Sequence, residues 1–235
     1  MVKPPRAPHG DLQLLVDFDG TIAMIDTVDA LLSLHAEPRW LEIESAWLAG
    51  KIGSRDAMAA QVALLRLDAT ELDTFADSVA LDPGFLNFAA FCAAQNLPVT
   101  VVSDGIDRVV QRVLTRHNLD FPVRANKLEQ ISHERWLLMF PHAADGCTSG
   151  NCKCRTPSPD GAFRILIGDG RSDFCAAATV DLCFAKGKLI EHCRSEGIAH
   201  IAFRDFNDVT RILSDLASGA TTASALVQGK EAFHA

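Results

Sequence analysis

The sequence predicts an α/β fold: a Rossmann-like parallel sheet with helices on both faces, plus a small helical domain inserted after the first strand. Three observations carry this. Three short apolar runs, at 14–16, 97–102 and 163–167, each end in a polar signature. Helical periodicity fills much of the chain between the runs, as crossovers between parallel strands require. A helical block over 27–80 follows the first run with no early return to the sheet.

The elements follow in order. Residues 1–10 carry Pro4, Pro5 and Pro8 and read as a disordered arm. Leu14, Leu15 and Val16 read as a buried parallel strand that stops at Asp17-Phe18-Asp19-Gly20-Thr21. Period-two geometry points Asp17 and Asp19 the same way, into a crevice at the carboxyl end of a strand. Two such carboxylates repel each other unless a proton or a cation intervenes, and Mg²⁺ suits oxygen ligands of this kind.

In the helical block, Asp26-Thr27 is placed to cap a first helix with Val28, Leu31, Leu32 and Leu34 on its apolar side. Pro38 interrupts. Trp40, Leu41, Ile43, Ala46, Trp47 and Leu48 then make a second stripe, read as core of the inserted domain rather than a substrate platform. Residues 50–54 stop that helix, and 55–67 and 69–79 make two more. Asp82-Pro83-Gly84 is a turn and 85–95 an amphipathic helix. The second apolar run ends at Ser103-Asp104-Gly105, and 106–117 is helical. A short strand is expected at 121–126, a hairpin-like excursion at 130–140 and an irregular stretch at 142–162. The third run ends at Gly168-Asp169-Gly170-Arg171-Ser172-Asp173, with a helix opening over 174–179. Strands at 182–185 and 200–203, a last helix at 209–216 and a loose tail complete the reading. The expected domains are a core over 11–26 and 81–216, a helical cap over 27–80, an arm over 1–10 and a tail over 217–235.

The composition is that of an ordinary globular protein, with 48% hydrophobic and 22% charged residues in 235. Twenty-two basic against 30 acidic residues give a formal charge of −8, which argues against a nucleic-acid partner. The amino-terminal residues lack an apolar leader core and no run is long enough to span a bilayer, so a cytoplasmic protein with no membrane partner is expected. Seven cysteines, an odd number, fit thiols in a reducing compartment.

Three strand ends carrying Asp17/Asp19/Thr21, Ser103/Gly105 and Asp169/Asp173 share one rim of a parallel sheet. Carboxylates and hydroxyls collected there suit a divalent metal and a phosphate. The order Asp-Phe-Asp-Gly-Thr, Ser-Asp-Gly and Gly-Asp-Gly-Arg-Ser-Asp resembles the haloacid dehalogenase superfamily of phosphatases. The early helical insertion resembles its phosphoserine-phosphatase-like branch with a C1 cap. Trp47-Leu48, Gly50, Ile52, Asn126, Pro141-His142, the Cys-rich stretch, residues 181–185 and Asp205-Phe206 resemble the MtnX group. The founding activity of that group is hydrolysis of 2-hydroxy-3-keto-5-methylthiopentenyl 1-phosphate in methionine salvage.

The resemblance implies a role for each matched residue. Asp17 is the nucleophile that becomes an aspartyl-phosphate. Asp19 is the general acid, then the general base. Mg²⁺ is held by the carboxylates of Asp17 and Asp169 and the backbone carbonyl of Asp19, with Asp173 supporting the site from behind. Ser103 and the backbone of Asp104 and Gly105 hold the phosphoryl oxygens, and Thr21 orients them. The substrate is a small phosphomonoester, and the enzyme is a monomer or a homodimer. A phosphoserine-like substrate, or a binding protein on the same fold, are the alternative readings.

The family's third motif is a cation ahead of the last signature strand. Lys153 is the choice and Arg155 the alternative, with Lys127 a further candidate. Pro157, Pro159 and Gly161 break the helix that usually carries this cation. Cys147, Cys152 and Cys154, with His142 nearby, could in principle hold zinc. Their Cys-x₄-Cys-x-Cys spacing is no standard knuckle, and thiols in a loop are the preferred reading.

Overall fold

The computed structural model describes residues 12–218. The arm expected at 1–10 and, beyond Ser218, the expected tail lie outside the described residues. The strands are β1 (Leu12–Val16), β2 (Val99–Ile106), β3 (Val123–Ser132), β4 (Arg135–Met139), β5 (Phe163–Gly168), β6 (Leu182–Ala185) and β7 (His200–Ala202). The helices are α1 (Thr27–His35), α2 (Trp40–Leu48), α3 (Ser54–Val62), α4 (Ala69–Ser78), α5 (Phe85–Ala94), α6 (Asp107–Arg116), α7 (Phe174–Ala177), α8 (Gly187–Glu196) and α9 (Phe206–Ala217). The fold class is the expected one, α/β with mainly parallel strands and helices between them. The described chain forms two compact units, one of residues 12–22, 81–101 and 153–218, the other of 23–80 and 102–152.

In the first unit the strand order is β2-β1-β5-β6-β7, all parallel. Leu15 pairs with Thr100 on one side and with Leu166 on the other. Leu14, Leu15 and Val16 are fully buried, as are Leu166 and Ile167 of β5, which is why these strands read as unbroken apolar runs. Helices α5 and α9 pack through Phe85, Phe88 and Phe206, with Phe206 ring centroids 4.9 Å and 4.8 Å from the other two. Each ring is fully buried and contributes roughly 2–3 kcal/mol of transfer free energy. Asp82 is buried beside them, and its Oδ1 accepts from the backbone N–H of Gly84 and of Phe206.

Helix α8 departs from the sequence reading, which placed no element between 185 and 200. Its Leu189 and Cys193 are four apart and fully buried, and Gly197 ends it at φ +66°. Two buried positions in ten residues make a weak periodic signal.

The second unit holds α1–α4, α6, the continuation of β2 and the β3–β4 hairpin, in the order β2-β3-β4. The expected short strand and hairpin-like excursion are one antiparallel pair, with Leu128 opposite Leu138 and Gln130 opposite Trp136. Helix α1 is capped by Asp26, which accepts from Asp29 N–H, and α4 by a reciprocal Asp68/Glu71 capping box. Asp73 and Asp77 of α4 pair with Arg108 and Arg112 of α6.

The Trp40/Trp47 stripe is half-buried rather than core. No residue of α2 is buried, and Leu41 and Leu48 are 54% and 58% exposed. The reason lies in the neighbouring helix. The α3 sequence, SRDAMAAQV, is small and polar, and its Gln61 donates to Glu44 of α2. It offers little apolar surface to cover a tryptophan. No helix among the described residues is long and apolar enough to cross a membrane.

Candidate active site

The site is built in the first unit, at the carboxyl ends of β1 and β5. Asp17 follows β1, and its N–H donates to the carbonyl of Ile167 in β5. Its carboxylate is buried, and the ammonium of Lys153 lies 2.5 Å from Oδ1. Lys153 is fully buried in a single 3₁₀ turn, Lys153–Arg155, whose first carbonyl accepts from both the N–H and the hydroxyl of Thr156. The segment stops at this short turn, as Pro157, Pro159 and Gly161 lead one to expect. The same ammonium donates to Asp173 Oδ1 at 2.7 Å and to Ser172 Oγ at 2.9 Å. Its three N–H groups thus have three acceptors.

Asp173 is fully buried and doubly used. One oxygen takes Lys153, and the other accepts from the N–H groups of Asp169 and Gly170. It fixes both the cation and the backbone that presents Asp169. Asp169 in turn accepts from the Thr21 hydroxyl at 3.0 Å. Two glycines make room. Gly20 turns the chain after β1 at φ +69°, and a Cβ there would stand 2.6 Å from Asp169 Oδ2. A Cβ on Gly168 would stand 2.5 Å from Asp173 Oδ2.

Oxygen atoms of Asp17, Asp169 and Asp173 lie within 4.8 Å of one another. Three carboxylates face one ammonium, so the cluster carries excess negative charge. Burial, then the nearby Asp173, push the Asp17 carboxyl well above its ordinary range, and Lys153 only partly offsets them. Asp169 is raised by burial and by Asp173. Burial alone would lower the Lys153 pKa, but Asp17 and Asp173 outweigh it and hold the ammonium charged. Asp173 already has donors on both oxygens, which leaves Asp17 and Asp169 as the pair best placed for a hard divalent cation. The donor set fits one.

The raised carboxyls have a measurable consequence. A carboxyl whose folded pKa is raised adds stability that is complete below the ordinary value of 3.8 and is lost as pH climbs through the folded value. Protein stripped of divalent cations is expected to melt at falling temperature as pH rises from mildly acidic to neutral. Saturating Mg²⁺ should flatten the decline. A melting temperature that climbs over that range without metal would contradict the charge excess.

The other expected residues are placed as follows. Asp19 is half-buried in the turn after β1, in extended conformation at φ −71° and ψ 127°. Arg155 is exposed at the end of the Lys153 turn. Lys127 is an exposed β3 residue paired with Glu129. Ser103, Asp104 and Gly105 continue β2 in the second unit and are buried; Ser103 Oγ accepts from Gly105 N–H. The cysteines are thiols, and the metal-capable cluster among the described residues is the aspartate one, not Cys147/Cys152/Cys154. Ser172 escaped the sequence reading, although it stands inside the Gly-Asp-Gly-Arg-Ser-Asp stretch. Asn151 escaped it as well, and its partners are described below.

Comparison with known proteins agrees with this geometry. The family model for haloacid dehalogenase-like hydrolase matches residues 14–178. A 2-hydroxy-3-keto-5-methylthiopentenyl-1-phosphate phosphatase of Bacillus velezensis is 31% identical over 83% of this chain and 87% of its own length. A protein of the same name from Geobacillus kaustophilus is 32% identical over 84% of this chain and 93% of its own. A solved structure of a phospho-aspartyl intermediate analogue of phosphoserine phosphatase superposes with a TM-score of 0.66 over 87% of this chain and 99% of that one. At 18% identity, that likeness concerns the fold. The strand-end aspartates, the lysine they enclose and these matches show that the chain belongs to the haloacid dehalogenase-like hydrolase family and is a phosphatase of it.

Proposed function

We propose that this chain hydrolyses 2-hydroxy-3-keto-5-methylthiopentenyl 1-phosphate, a small phosphomonoester of methionine salvage, through an aspartyl-phosphate on Asp17. The supporting observation is the Lys153 ammonium between Asp17 and Asp173, deep at the end of β1. A buried cation there neutralises the nucleophile and an incoming phosphate together, which a protein that only binds ligands has no need to build. Substrate identity rests on the relatives' shared name.

In this reading Asp17 attacks phosphorus while Asp19 gives a proton to the leaving oxygen. Asp19 then takes a proton from the water that cleaves the aspartyl-phosphate, and inorganic phosphate leaves. Asp17, Asp169 and the backbone carbonyl of Asp19 would hold Mg²⁺. When bound, that ion screens the negative charge of nucleophile and phosphate. Asp173 keeps Lys153 and Asp169 in place, and Thr21, whose hydroxyl bonds Asp169, helps orient the phosphoryl oxygens. Ser103 and the backbone of Asp104 and Gly105 bind phosphoryl oxygens. Residues 27–80 select the substrate as a cap, and 11–26 with 81–216 form the catalytic core.

The test is phosphate release with Mg²⁺ from a panel holding the methylthiopentenyl phosphate, phosphoserine and a chromogenic aryl phosphate. The expected result is a kcat/KM for the first at least ~10²-fold above the others, on the scale of a pocket that recognises its substrate's polar groups. Preference for phosphoserine would overturn the substrate assignment while keeping the chemistry. Mg²⁺-independent turnover would overturn the metal's part.

A further inference from the structure

The second unit contains a buried polar network that the mechanism above does not use. Asn151 and Asn126 are both fully buried. The Asn151 side-chain nitrogen donates to the carbonyls of Ser103, at 2.9 Å, and of Arg124, at 2.7 Å. Its backbone N–H donates to Asp104 Oδ1 at 2.8 Å. The Asn126 side-chain nitrogen donates to the Asp104 carbonyl at 2.6 Å and to Asp104 Oδ1 at 3.2 Å. Two carboxamides therefore hold the carbonyls of two consecutive residues and the carboxylate between them.

The orientation of both amides is forced. Each nitrogen faces carbonyl or carboxylate oxygens, so turning either amide over would set oxygen against oxygen. The side-chain oxygens of Asn126 and Asn151 are in turn buried without a hydrogen-bond partner. Leaving two acceptors desolvated is costly, and such groups in a native fold call for an explanation. Packing keeps Asn126 where it is. A Cβ on Gly150 would stand 2.6 Å from Asn126 Oδ1 and 2.6 Å from the Phe140 ring.

The geometry points to Asn151 and Asn126 as positioning residues that hold the Ser103–Gly105 segment in the conformation in which it binds a phosphate group. This rests on the phosphatase reading above. Neither asparagine touches substrate in this account. They fix the carbonyl side of the segment, so that the Ser103 hydroxyl, whose oxygen accepts from Gly105 N–H, is set before substrate arrives. The ligand they serve is a phosphate monoester, and inorganic phosphate as its product.

The experiment uses the full chain with Mg²⁺ and compares Asn151→Ser, Asn126→Ser and Gly150→Ala with wild type. The readouts are kcat, KM for the ester and Ki for inorganic phosphate, all on folded protein. Misaiming the segment is expected to raise KM and Ki together by about tenfold, the scale of one buried hydrogen bond, with kcat moving less than ~3-fold. Gly150→Ala should share the effect, since it displaces Asn126 without removing a donor. Unchanged KM and Ki, with only a lower melting temperature, would reduce the asparagines to structural residues and overturn the proposal. If no variant folds, the side-chain amide signals of Asn126 and Asn151 in ¹⁵N-labelled wild type give the answer. Phosphate should shift them, and signals that stay fixed at saturation overturn the proposal. A wild type that releases no phosphate from any ester overturns the phosphatase reading and this inference with it. Normal wild-type turnover with unmoved variants overturns this inference alone.

Discussion

Lys153→Ala is expected to lower kcat by at least ~10²-fold while leaving a foldable but weakened protein, because in the proposed mechanism it removes a preorganised charge from the reacting centre. The weakening has a separate cause. The lysine is fully buried between Asp17 and Asp173, and removing one member of such a group strands the others. The penalty for an uncompensated buried charge is about 3–5 kcal/mol. Part of it is relieved when Asp17, already raised by burial, takes up a proton. Loss of rate and loss of stability should therefore differ in their pH dependence. The stability deficit shrinks in mild acid, where a neutral Asp17 no longer needs the ammonium. The rate does not recover, because a protonated Asp17 is no nucleophile. Steady-state kinetics and denaturant titrations at two pH values check both. A variant turning over within a few-fold of wild type would move the third-motif role to another cation, with exposed Arg155 next in line.

Asp17→Asn is expected to abolish turnover, a drop of ~10⁴-fold or more, since losing the nucleophile of the proposed mechanism costs on that scale. Its effect on stability should run the other way. In metal-free protein Asp17 is one of three carboxylates around a single ammonium, and burial and like charges disfavour its ionised form. An asparagine keeps the shape and offers Lys153 a carbonyl oxygen. It removes one negative charge and leaves Asp173 to neutralise the lysine. The melting temperature of metal-stripped Asp17→Asn should exceed that of metal-stripped wild type, and Mg²⁺ should raise it less. Thermal melts with and without EDTA read this directly. A variant that is inactive and also less stable without metal would show that the cluster is not over-supplied with negative charge.

The strand-end aspartates were legible because each follows an apolar run that ends abruptly, and a strand end is a local event. Lys153 was harder. It lies 136 positions from Asp17 and has no helix to announce it. Without the resemblance it would have read as a loop charge in a Cys- and Pro-rich stretch. Asn151 left no trace, because a buried carboxamide follows no period and looks in sequence like any turn residue. Helix α8 was missed for a related reason. The α2 stripe was misread for the opposite one: apolar spacing says which face a helix could bury, but not whether its neighbour has anything to bury it with. Here α3 did not.

That exposed helix has a consequence for how the protein breathes. An isolated nine-residue helix is shorter than the length at which water alone sustains it, and α2 has only half-buried side chains, Trp40, Ile43 and Trp47 among them, to make up the difference. Its backbone amides should exchange with solvent through local opening, at a free energy far below that of global unfolding. The rims of the Asp17 cluster, built on β1 and β5 with fully buried neighbours, should exchange only when the whole unit unfolds. One chain is thus expected to join a segment of low local stability to a charge cluster of high local stability. Among the described residues, limited proteolysis should cut first between Pro38 and Gly53 and leave the cluster's strands intact.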